Sequence, residues 1–383
     1  MDWSFLIRNK DSLCVTTDSR KVTSGSIFVA LKGEHFDGND FVEQAKAQGA
    51  AYIISGDNAL AELQDLARAW RLELGLPILG ITGTNGKTTT KELCAVVLGT
   101  KYNLYYTQGN LNNQLGVPLT LLNITRAHEM AIVEMGASHP GDIKELVEIA
   151  EPNYGLITNV GKAHLQGFGS FEGVQRTKAE LYDYLRAHGG FCFRNTDNPY
   201  LAQMAGDLQT VPYTTGTMPE GTHLVGGYNA ENVSAAICVG MYFGVSEDQA
   251  LAAIRAYVPS NNRSQFMQTE RNSVVVDAYN ANPTSMQAAI NAFKGNCYIL
   301  GAMRELGDYS HLEHQNIVNM LLERKADKVL LVGEEYKETT APYPVFDNVE
   351  ALCEHLQTEP LRGYHILLKG SRSNQLEKVI PLL

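Results

Sequence analysis

The chain has 383 residues, 44% of them hydrophobic and 19% charged, which suits two or three globular domains, and no apolar run approaches the roughly 18 residues of a membrane helix. The net charge of −11 argues against a nucleic-acid partner but permits a phosphorylated ligand held by local positive charge. The six cysteines are widely spaced and the N-terminus lacks a signal-peptide pattern, so we expect reduced thiols in a cytoplasmic protein.

The first 76 residues predict a small α/β domain. Strand patterns lie at residues 26–31 and 51–55, and helical patterns at residues 39–48 and 58–74. Gly75 and the following Leu-Pro end the second helix. The polar loops at residues 17–22 and 32–38 are typical of surface turns, and taken alone they indicate no ligand.

A glycine-rich turn follows, Thr82-Gly-Thr-Asn-Gly-Lys-Thr88, between a strand pattern and a helical pattern. Gly83 and Gly86 let backbone N–H groups close around phosphate oxygens at the positive end of the helix. Lys87 supplies a cation for the outer phosphates, and Thr88 a hydroxyl suited to Mg²⁺. The alternative is a turn that binds nothing, but Gly-Lys-Thr at such a turn is rarely accidental. The motif predicts a nucleotide site in a central domain of residues 77–259.

Polar side chains follow two later strand patterns of this domain. Glu134 ends the strand at residues 130–135, at the sheet edge where a nucleotide-bound Mg²⁺ requires a carboxylate ligand. A salt-bridged or helix-capping glutamate would give the same sequence pattern. His164 follows the strand at residues 154–160 and is either a metal ligand or a packed histidine.

Two further features of the central domain each have two interpretations. The amide-rich loop at residues 107–118 either contacts a polar ligand or is a solvated turn. Asn229 and Asn232 begin a helix and either cap it or contact a purine edge. Lys178 has the spacing of an ordinary surface lysine, and residues 200–221 are loop-like.

The last block, residues 260–383, alternates strand and helical patterns. Strands are predicted at residues 273–279, 297–301, 328–332 and 365–369, and helices at 284–293, 312–324, 349–356 and 374–380. Such alternation with short loops predicts a parallel, Rossmann-like sheet. Polar residues end its strands at 277–282, 303–307 and 369–372, which suggests a second face of an active site.

The glycine-rich turn resembles the ATP loop of the Mur ligase family, the amide-forming enzymes of bacterial cell-wall precursor synthesis. Similar motifs span the chain: Asp18-Ser-Arg20, Gly109-Asn-Leu-Asn-Asn113, Glu134-Met-Gly136, Asp277-Ala-Tyr-Asn-Ala-Asn-Pro283 and Lys369-Gly-Ser-Arg372. The resemblance implies an α/β fold of three domains: a UDP-sugar domain at 1–76, a P-loop-type ATPase domain with a mainly parallel sheet at 77–259, and a Rossmann-like domain at 260–383. Ala302 and Asn39 are departures, because relatives commonly have aspartate and histidine at these positions.

The resemblance also implies an activity. The motifs of the last block are specific for members that use ATP to join D-Ala-D-Ala to UDP-MurNAc-tripeptide through an acyl phosphate. We expect these small-molecule substrates, no nucleic acid, no membrane span and a monomer. The alternatives are a sister Mur-type ligase adding another amino acid, a folylpolyglutamate-synthetase-like ligase, and a regulatory or transport ATPase in which the loop acts as a switch.

The resemblance assigns residues to each ligand. The catalytic set is Lys87, Glu134, His164 and Lys178, where Lys178 matches a lysine that the family carries as a carbamate. The ATP contacts are Thr82, Gly83, Thr84, Asn85, Gly86, Lys87, Thr88, Asn229, Asn232, Arg263 and Asp277. The substrate contacts are Ser19, Arg20, Asn110, Asn113, Asn280, Asn282, Lys369 and Arg372. Two Mg²⁺ ions are expected, on Thr88 with Glu134 and on His164 with Lys178.

Overall fold

Three β-sheets follow one another along the chain in a computed structural model that describes residues 2–34 and 36–383. The first sheet is parallel, in the order β1-β2-β3. Its elements are α1 (Ser4–Ile7), β1 (Val15–Thr16), β2 (Ile27–Val29), α2 (Val42–Ala47), β3 (Tyr52–Ile54) and α3 (Ala59–Leu74), with 3-10 turns at Ser19–Lys21 and Gly38–Phe41. The predicted helix at 58–74 is confirmed, and Gly75 ends it with a φ of 63°.

The second sheet is wholly parallel, in the order β5-β6-β4-β7-β8-β9. Its strands are β4 (Ile78–Thr82), β5 (Leu104–Tyr106), β6 (Met130–Glu134), β7 (Tyr154–Ile157), β8 (Phe191–Asn195) and β9 (Thr210–Tyr213). Its helices are α4 (Lys87–Leu98), α5 (Gly116–Leu122), α6 (Asp142–Ala150), α7 (Leu165–Phe168), α8 (Phe171–Ala187), α9 (Pro199–Ala205), α10 (Asn229–Tyr242) and α11 (Glu247–Ala256). The carboxyl ends of β4, β6 and β7 therefore meet at one edge.

The loop-like interpretation of residues 200–221 is wrong for half of that stretch. The structure forms α9 there, capped by Asn198 with Pro199 at its first position, and then the edge strand β9. Both elements are short, and β9 contains Pro212, a residue that weakens a strand pattern and is tolerated at sheet edges.

The third sheet has the order β10-β11-β15-β12-β13-β14. Its elements are β10 (Gln265–Gln268), β11 (Ser273–Asp277), α12 (Pro283–Ala292), β12 (Cys297–Gly301), α13 (Ser310–Glu323), β13 (Lys328–Val332), β14 (Val345–Phe346), α14 (Val349–Thr358) and β15 (His365–Lys369). The parallel core is confirmed, but β10 pairs antiparallel with β11, so the sheet is mixed. The predicted helix at 374–380 is a 3-10 segment, Leu376–Leu382, which contains Pro381.

Two contacts tie the sheets together. Helix α3 belongs to the N-terminal segment but packs on α5 and α6 of the central sheet, where the buried Trp70 donates its Nε1–H to the carbonyl of Ile124 at 2.8 Å. The linker after α11 is bound to α4, because Glu92 accepts hydrogen bonds from the Tyr257 hydroxyl and from Asn261 Nδ2 at 3.0 Å. The domain boundaries at residues 76 and 259 remain predictions.

Candidate active site

A cavity of about 1060 Å³ lies between the carboxyl edge of the central sheet and the C-terminal domain. Both sides contribute predicted site residues to its lining: Thr84, Asn85, Gly86, Lys87, Thr88, Asn113, Glu134, His164, Asn229, Asn232, Arg263, Asp277, Asn280, Asn282 and Lys369. Residues from widely separated motifs thus meet around one space large enough for a nucleotide and part of a second ligand.

The glycines of the phosphate loop are required by their surroundings. Gly83 has a φ of 143°, and a Cβ there would lie 2.0 Å from Thr158 Oγ1. Gly86 has a φ of 78°, and a Cβ there would lie 2.4 Å from Asn232 Oδ1. Thr158 donates to the carbonyl of Asn85 at 2.6 Å, so the segment after β7 holds the loop in place. The loop leads into α4, whose first N–H groups are the anion-binding end of the helix.

Lys87 lies across this loop. Its Nζ donates to the carbonyls of Gly83 at 2.7 Å and Thr84 at 3.1 Å. Burial lowers the pKa of Lys87 to about 8, against the opposing effect of the Glu134 carboxylate. The ammonium is therefore poorly solvated and well placed to gain from a phosphate oxygen.

Glu134 is a buried carboxylate with one oxygen that accepts no hydrogen bond from the described residues. Its Oε1 accepts hydrogen bonds from Asn112 Nδ2 at 2.8 Å and Thr88 Oγ1 at 3.2 Å. Its Oε2 is buried without a hydrogen-bond partner among the described residues, and Lys91 Nζ lies 3.8 Å away. A buried carboxylate oxygen beside a threonine hydroxyl fits a hard cation such as Mg²⁺.

The protein side chains around Glu134 cannot by themselves complete the coordination of a metal ion. In residues 2–34 and 36–383, no group of three or more His, Cys, Asp or Glu side chains could hold an ion. Thr88 and Glu134 would therefore supply a minority of the ligands, as is usual for Mg²⁺ that also binds water and nucleotide phosphates.

Lys178 is buried, so the surface interpretation from its spacing is wrong. It lies on the inner face of α8 with 2% of its surface exposed, and within the described chain it makes no hydrogen bond or ion pair. Its Nζ lies 5.6 Å from the centre of the Phe168 ring. Burial, reinforced by the charge of Lys87, holds the pKa of Lys178 well below the usual value. A buried amine without an anionic partner is costly unless it is modified or ligand-bound.

His164 lines the cavity at the end of the segment after β7. It has a φ of 49°, and its Nδ1 contacts the carboxylate of Glu305 from the C-terminal domain. Burial lowers the pKa of His164, against the opposing charge of Glu305. The imidazole is thus favoured in its neutral form, which is the form that binds metals.

The C-terminal rim of the cavity carries an ion pair and a hydrogen bond to the phosphate loop. Lys369 Nζ, at the end of β15, lies 2.6 Å from Asp277 Oδ2 on the neighbouring strand β11 and donates to the carbonyl of Asn280 at 3.2 Å. Asn282 Nδ2 donates to Asn85 Oδ1 at 2.8 Å. The last domain therefore contacts the phosphate loop directly.

An aromatic ring joins two arginines at the same rim. Arg263 lies over the ring of Tyr279, with its guanidinium carbon 3.9 Å from the ring centre. The guanidinium carbon of Arg372 is 5.2 Å from the same ring centre. Arg263 stands between Asn262 and Ser264, which have φ angles of 55° and 50°. Positive φ angles at the non-glycine residues on both sides of Arg263 mark a constrained segment.

The helix-start asparagines of α10 are engaged within the protein. Asn229 Nδ2 donates to the carbonyl of Val225 at 2.8 Å, and Asn232 Nδ2 donates to Asn229 Oδ1 at 2.9 Å. Asn232 Oδ1 accepts from Thr90 on α4 at 3.0 Å. The bond from Thr90 joins α10 to α4, and contact with adenine remains a prediction.

Some predicted residues lie outside the lining of the cavity: Thr82, Gly83, Lys178, Asn110, Arg372, Ser19 and Arg20. Thr82 is buried behind the loop and donates to the carbonyl of Met135 at 2.8 Å. Arg20 is exposed and pairs twice with Asp18, at 2.8 Å each. The roles of Ser19, Arg20, Asn110 and Arg372 in substrate binding stay predictions.

The sequence analysis did not identify four residues that the structure places at the site: Lys91, Asn112, Tyr279 and Glu305. Asn112 belongs to the amide-rich loop, but the register of that loop is not readable from composition. Lys91 follows Lys87 by one helical turn, and its Nζ donates to the carbonyl of Thr107 at 2.7 Å. A helical-face argument could have found Lys91, whereas Glu305 is recognised only from its tertiary contact.

These features define a class: a multidomain nucleotide-binding enzyme whose phosphate loop faces a second lobe. Family models match the chain in three consecutive segments, the Mur ligase family catalytic domain at residues 13–84, the Mur ligase middle domain at 81–222, and the Mur ligase glutamate ligase domain at 262–372. The chain belongs to the Mur ligase family, whose members are ATP-dependent ligases.

Individual relatives of the chain support this family assignment. The UDP-N-acetylmuramoyl-tripeptide–D-alanyl-D-alanine ligase of Bacillus subtilis (strain 168) is 34% identical over 96% of this chain and 92% of its own length. The ligase of that name from Escherichia coli (strain K12) is 33% identical over 96% and 93%. The crystal structure of MurF ligase from Thermotoga maritima in complex with ADP superposes with a TM-score of 0.86 at 27% identity, covering 97% of both chains. No helix in the described part of the chain has the length and apolarity to cross a bilayer.

Proposed function

We propose that this chain uses ATP to join D-Ala-D-Ala to the terminal carboxylate of UDP-MurNAc-tripeptide, with release of ADP and phosphate. One observation carries the proposal: the cavity presents the phosphate loop on one wall and the Asp277–Lys369 rim on the other. Asp277 and Lys369 belong to the two motifs of the last block whose resemblance is specific for the D-Ala-D-Ala-adding members. Two relatives that bear this activity in their names match nearly the whole chain.

The chemistry requires charge neutralisation and positioning rather than a protein nucleophile. The substrate carboxylate attacks the γ-phosphorus and forms an acyl phosphate, and the dipeptide amine then displaces phosphate from the acyl carbon. Lys87 and the N–H groups of the loop bind the β- and γ-phosphate oxygens, where they stabilise the charge of the transferring group. Arg263 approaches the same phosphates from the C-terminal side.

Mg²⁺ supplies further positive charge at the phosphate oxygens when it is bound. Thr88 and Glu134 would hold one ion, which agrees with the absence of a hydrogen bond from the described residues to Oε2 of Glu134. His164 and Lys178 would hold a second, with Lys178 present as a carbamate. The burial of Lys178 and its lack of a hydrogen bond or ion pair to the described residues support that modification, because carbamylation replaces an isolated cation by an anionic oxygen ligand.

The cavity between the domains also protects the reaction from water. An acyl phosphate hydrolyses in bulk solvent, so the reacting groups must be enclosed before it forms. We propose that the last domain rotates onto the central one about residues 258–263. The contact between Asn282 and Asn85 would then be one of those that form on closure. Similar scattering profiles with and without an ATP analogue plus acceptor would contradict this.

The proposal also covers the cellular compartment, the remaining ligand contacts and the oligomeric state. All six cysteines are free thiols, in agreement with a reducing cytoplasm. The amides of Asn229 and Asn232 lie near adenine, while Asn280, Asn282, Lys369 and Arg372 lie near the peptide. Ser19 and Arg20 bind the UDP-sugar. The protein acts as a monomer on small molecules, without a nucleic-acid partner.

The experiment is an acceptor panel. Purified protein is given ATP, Mg²⁺ and UDP-MurNAc-tripeptide, and ADP release is measured with D-Ala-D-Ala, with single amino acids, or with glutamate. We expect D-Ala-D-Ala to stimulate release and to appear in an extended product by mass spectrometry. Stimulation by a single amino acid would instead indicate a sister ligase. Turnover that ignores every acceptor would indicate a regulatory ATPase and would contradict the proposal.

A further inference from the structure

His164, a proposed metal ligand in the central domain, contacts a carboxylate from the C-terminal domain. Nδ1 of His164 contacts the carboxylate of Glu305, and both side chains line the cavity. We propose that Glu305 is a positioning residue for His164. It holds the imidazole with the proton on Nδ1, which leaves the lone pair of Nε2 available to Mg²⁺. The inference rests on the proposed function only in assigning His164 to a metal.

The chemistry of histidine ligands supports this role. A neutral imidazole has one nitrogen that carries a proton and one that can bind a metal, and the partner of the first determines which is which. Metal-binding histidines generally donate their other N–H to a carboxylate or carbonyl, which also fixes the ring orientation. Glu305 provides that carboxylate, and it comes from a different domain than His164. The metal site is therefore complete only when the two domains are in contact.

The backbone around Glu305 is held firmly enough for such a role. Glu305 has a φ of 61°, a conformation that is uncommon for glutamate and persists only where the surroundings enforce it. Its carbonyl accepts a hydrogen bond from the backbone N–H of Gln166, two residues after His164, at 3.3 Å. The loop and the His164 segment are thus joined at two points.

A buried histidine supports the same loop from behind. His314 is fully buried, and its Nε2 accepts from the backbone N–H of Met303 at 3.0 Å. Its Nδ1 lies 2.7 Å from the carbonyl of Ser310, to which it donates. Arg304 donates its Nε–H to Ser373 Oγ at 3.2 Å and contacts Glu335. These contacts fix the residues immediately before Glu305.

The other carboxylates around the cavity have different partners. Glu134 is bonded to Thr88 and Asn112, and Asp277 is paired with Lys369. Asp142 accepts from the backbone N–H groups of Ser138 and His139 at 2.8 and 2.9 Å. Among the described residues, His164 is the one charged or titratable partner of Glu305. The contact is therefore specific rather than one of many in an acidic cluster.

The test measures metal binding directly. Mn²⁺ replaces Mg²⁺ in a sample saturated with a non-hydrolysable ATP analogue but without acceptor, and free Mn²⁺ is followed by electron paramagnetic resonance. Glu305→Ala should weaken one class of Mn²⁺ site by about 10- to 100-fold. Glu305→Gln should lose less, because its amide oxygen can still accept from Nδ1–H. Asp308→Asn is the matched control, since Asp308 is an exposed carboxylate on the next turn with no ion pair to the described residues.

A double-mutant cycle separates positioning from general damage. If Glu305 acts through His164, the variant Glu305→Ala/His164→Ala should bind Mn²⁺ no more weakly than His164→Ala alone. Unfolding midpoints of each variant show whether the fold is retained. An unchanged Mn²⁺ titration in Glu305→Ala, or additive losses in the cycle, would overturn the inference.

A third outcome identifies a different role. If Glu305→Ala raises the KM for the dipeptide alone and leaves Mn²⁺ binding intact, Glu305 binds the acceptor ammonium and the positioning role is wrong. The Mn²⁺ titration contains no acceptor. A wild-type protein that ignores D-Ala-D-Ala would therefore contradict the proposed function without deciding the role of Glu305.

Discussion

The two walls of the cavity are stabilised over very different distances along the chain. On the central wall, Lys87 bonds to the carbonyl of Gly83, four residues away. On the C-terminal wall, Lys369 pairs with Asp277 across 92 residues, and Tyr279 brings together two arginines from separate segments. The first wall is a local motif that forms with its own turn, whereas the second exists only after its sheet has assembled. Substitutions on the two walls should therefore differ in size and in kind.

The largest effect is expected on the central wall. Lys87→Ala removes the cation that we propose binds the outer phosphates, so kcat/KM for ADP release should fall by about 10²- to 10³-fold. The measurement is ADP release with saturating tripeptide and dipeptide. Lys101→Ala, an exposed lysine beyond the far end of α4, is the control and should keep full activity. Comparable loss in both variants would contradict a specific phosphate contact.

Lys178→Ala should come next, with a loss of about 10²-fold, because it removes the proposed carbamate. Short carboxylic acids such as acetate or propionate should restore part of the activity by supplying an oxygen ligand in the vacated space. Lys144→Ala is the control, since Lys144 is exposed on the neighbouring α6. Full activity of Lys178→Ala without any added acid would contradict the carbamate.

The C-terminal wall should respond to pH through His314. Burial lowers the pKa of His314, with Arg304 acting in the same direction and Ser310, Glu335 and Glu338 opposing it. Below the ordinary histidine pKa of about 6.5, the unfolded chain binds more protons than the folded one, so stability should fall as pH falls, by at most about 1.4 kcal/mol per pH unit.

Urea unfolding between pH 7.5 and 5.5 checks this expectation. His314→Gln keeps a polar side chain at the position but cannot gain the proton, so its stability should depend less on pH than that of the wild type. Equal pH dependence in the two proteins would show that His314 is not the group responsible.

The smallest effect is expected at Tyr279. Tyr279→Leu removes the ring on which Arg263 lies, a contact worth about 0.5–1 kcal/mol at a partly exposed site, so the KM for ATP should rise about two- to five-fold. Tyr279→Phe keeps the ring and should leave the KM unchanged. A rise in Tyr279→Phe would assign the effect to the hydroxyl instead.

The sequence predicted most of the helices, strands and turns well, because each depends on residues within a few positions of one another. The alternating strands and helices, the helix ending at Gly75 and the strands at 297–301, 328–332 and 365–369 follow from periodicity and turn residues. The phosphate loop follows from Gly83, Gly86 and Lys87, whose roles depend on neighbours within a few residues. The ring of side chains around Glu134 was only partly recovered, since Asn112 and Lys91 reach it through tertiary packing.

Other features could not be predicted, for physical reasons. Lys178 has the spacing of a surface residue, and only the packing of α8 against the sheet buries it. The antiparallel pairing of β10 depends on where the linker delivers the chain, and short edge elements such as β9 have too few residues for a clear period. Glu305 meets His164 across two domains, a distance at which sequence periodicity carries no information.

The attachment of the linker to Glu92 has a mechanical consequence. Tyr257 and Asn261 are hydrogen-bonded to the helix that follows the phosphate loop. Within the proposed hinge at residues 258–263, the rotation would therefore be confined to the residues after Asn261. Arg263 lies among those residues, close to the rotation axis, so its displacement should be much smaller than that of Asp277 or Lys369. We expect the guanidinium of Arg263 to stay near the bound nucleotide throughout the catalytic cycle. Asp277 and Lys369, which lie farther from the axis, should move toward the central domain as the peptide binds.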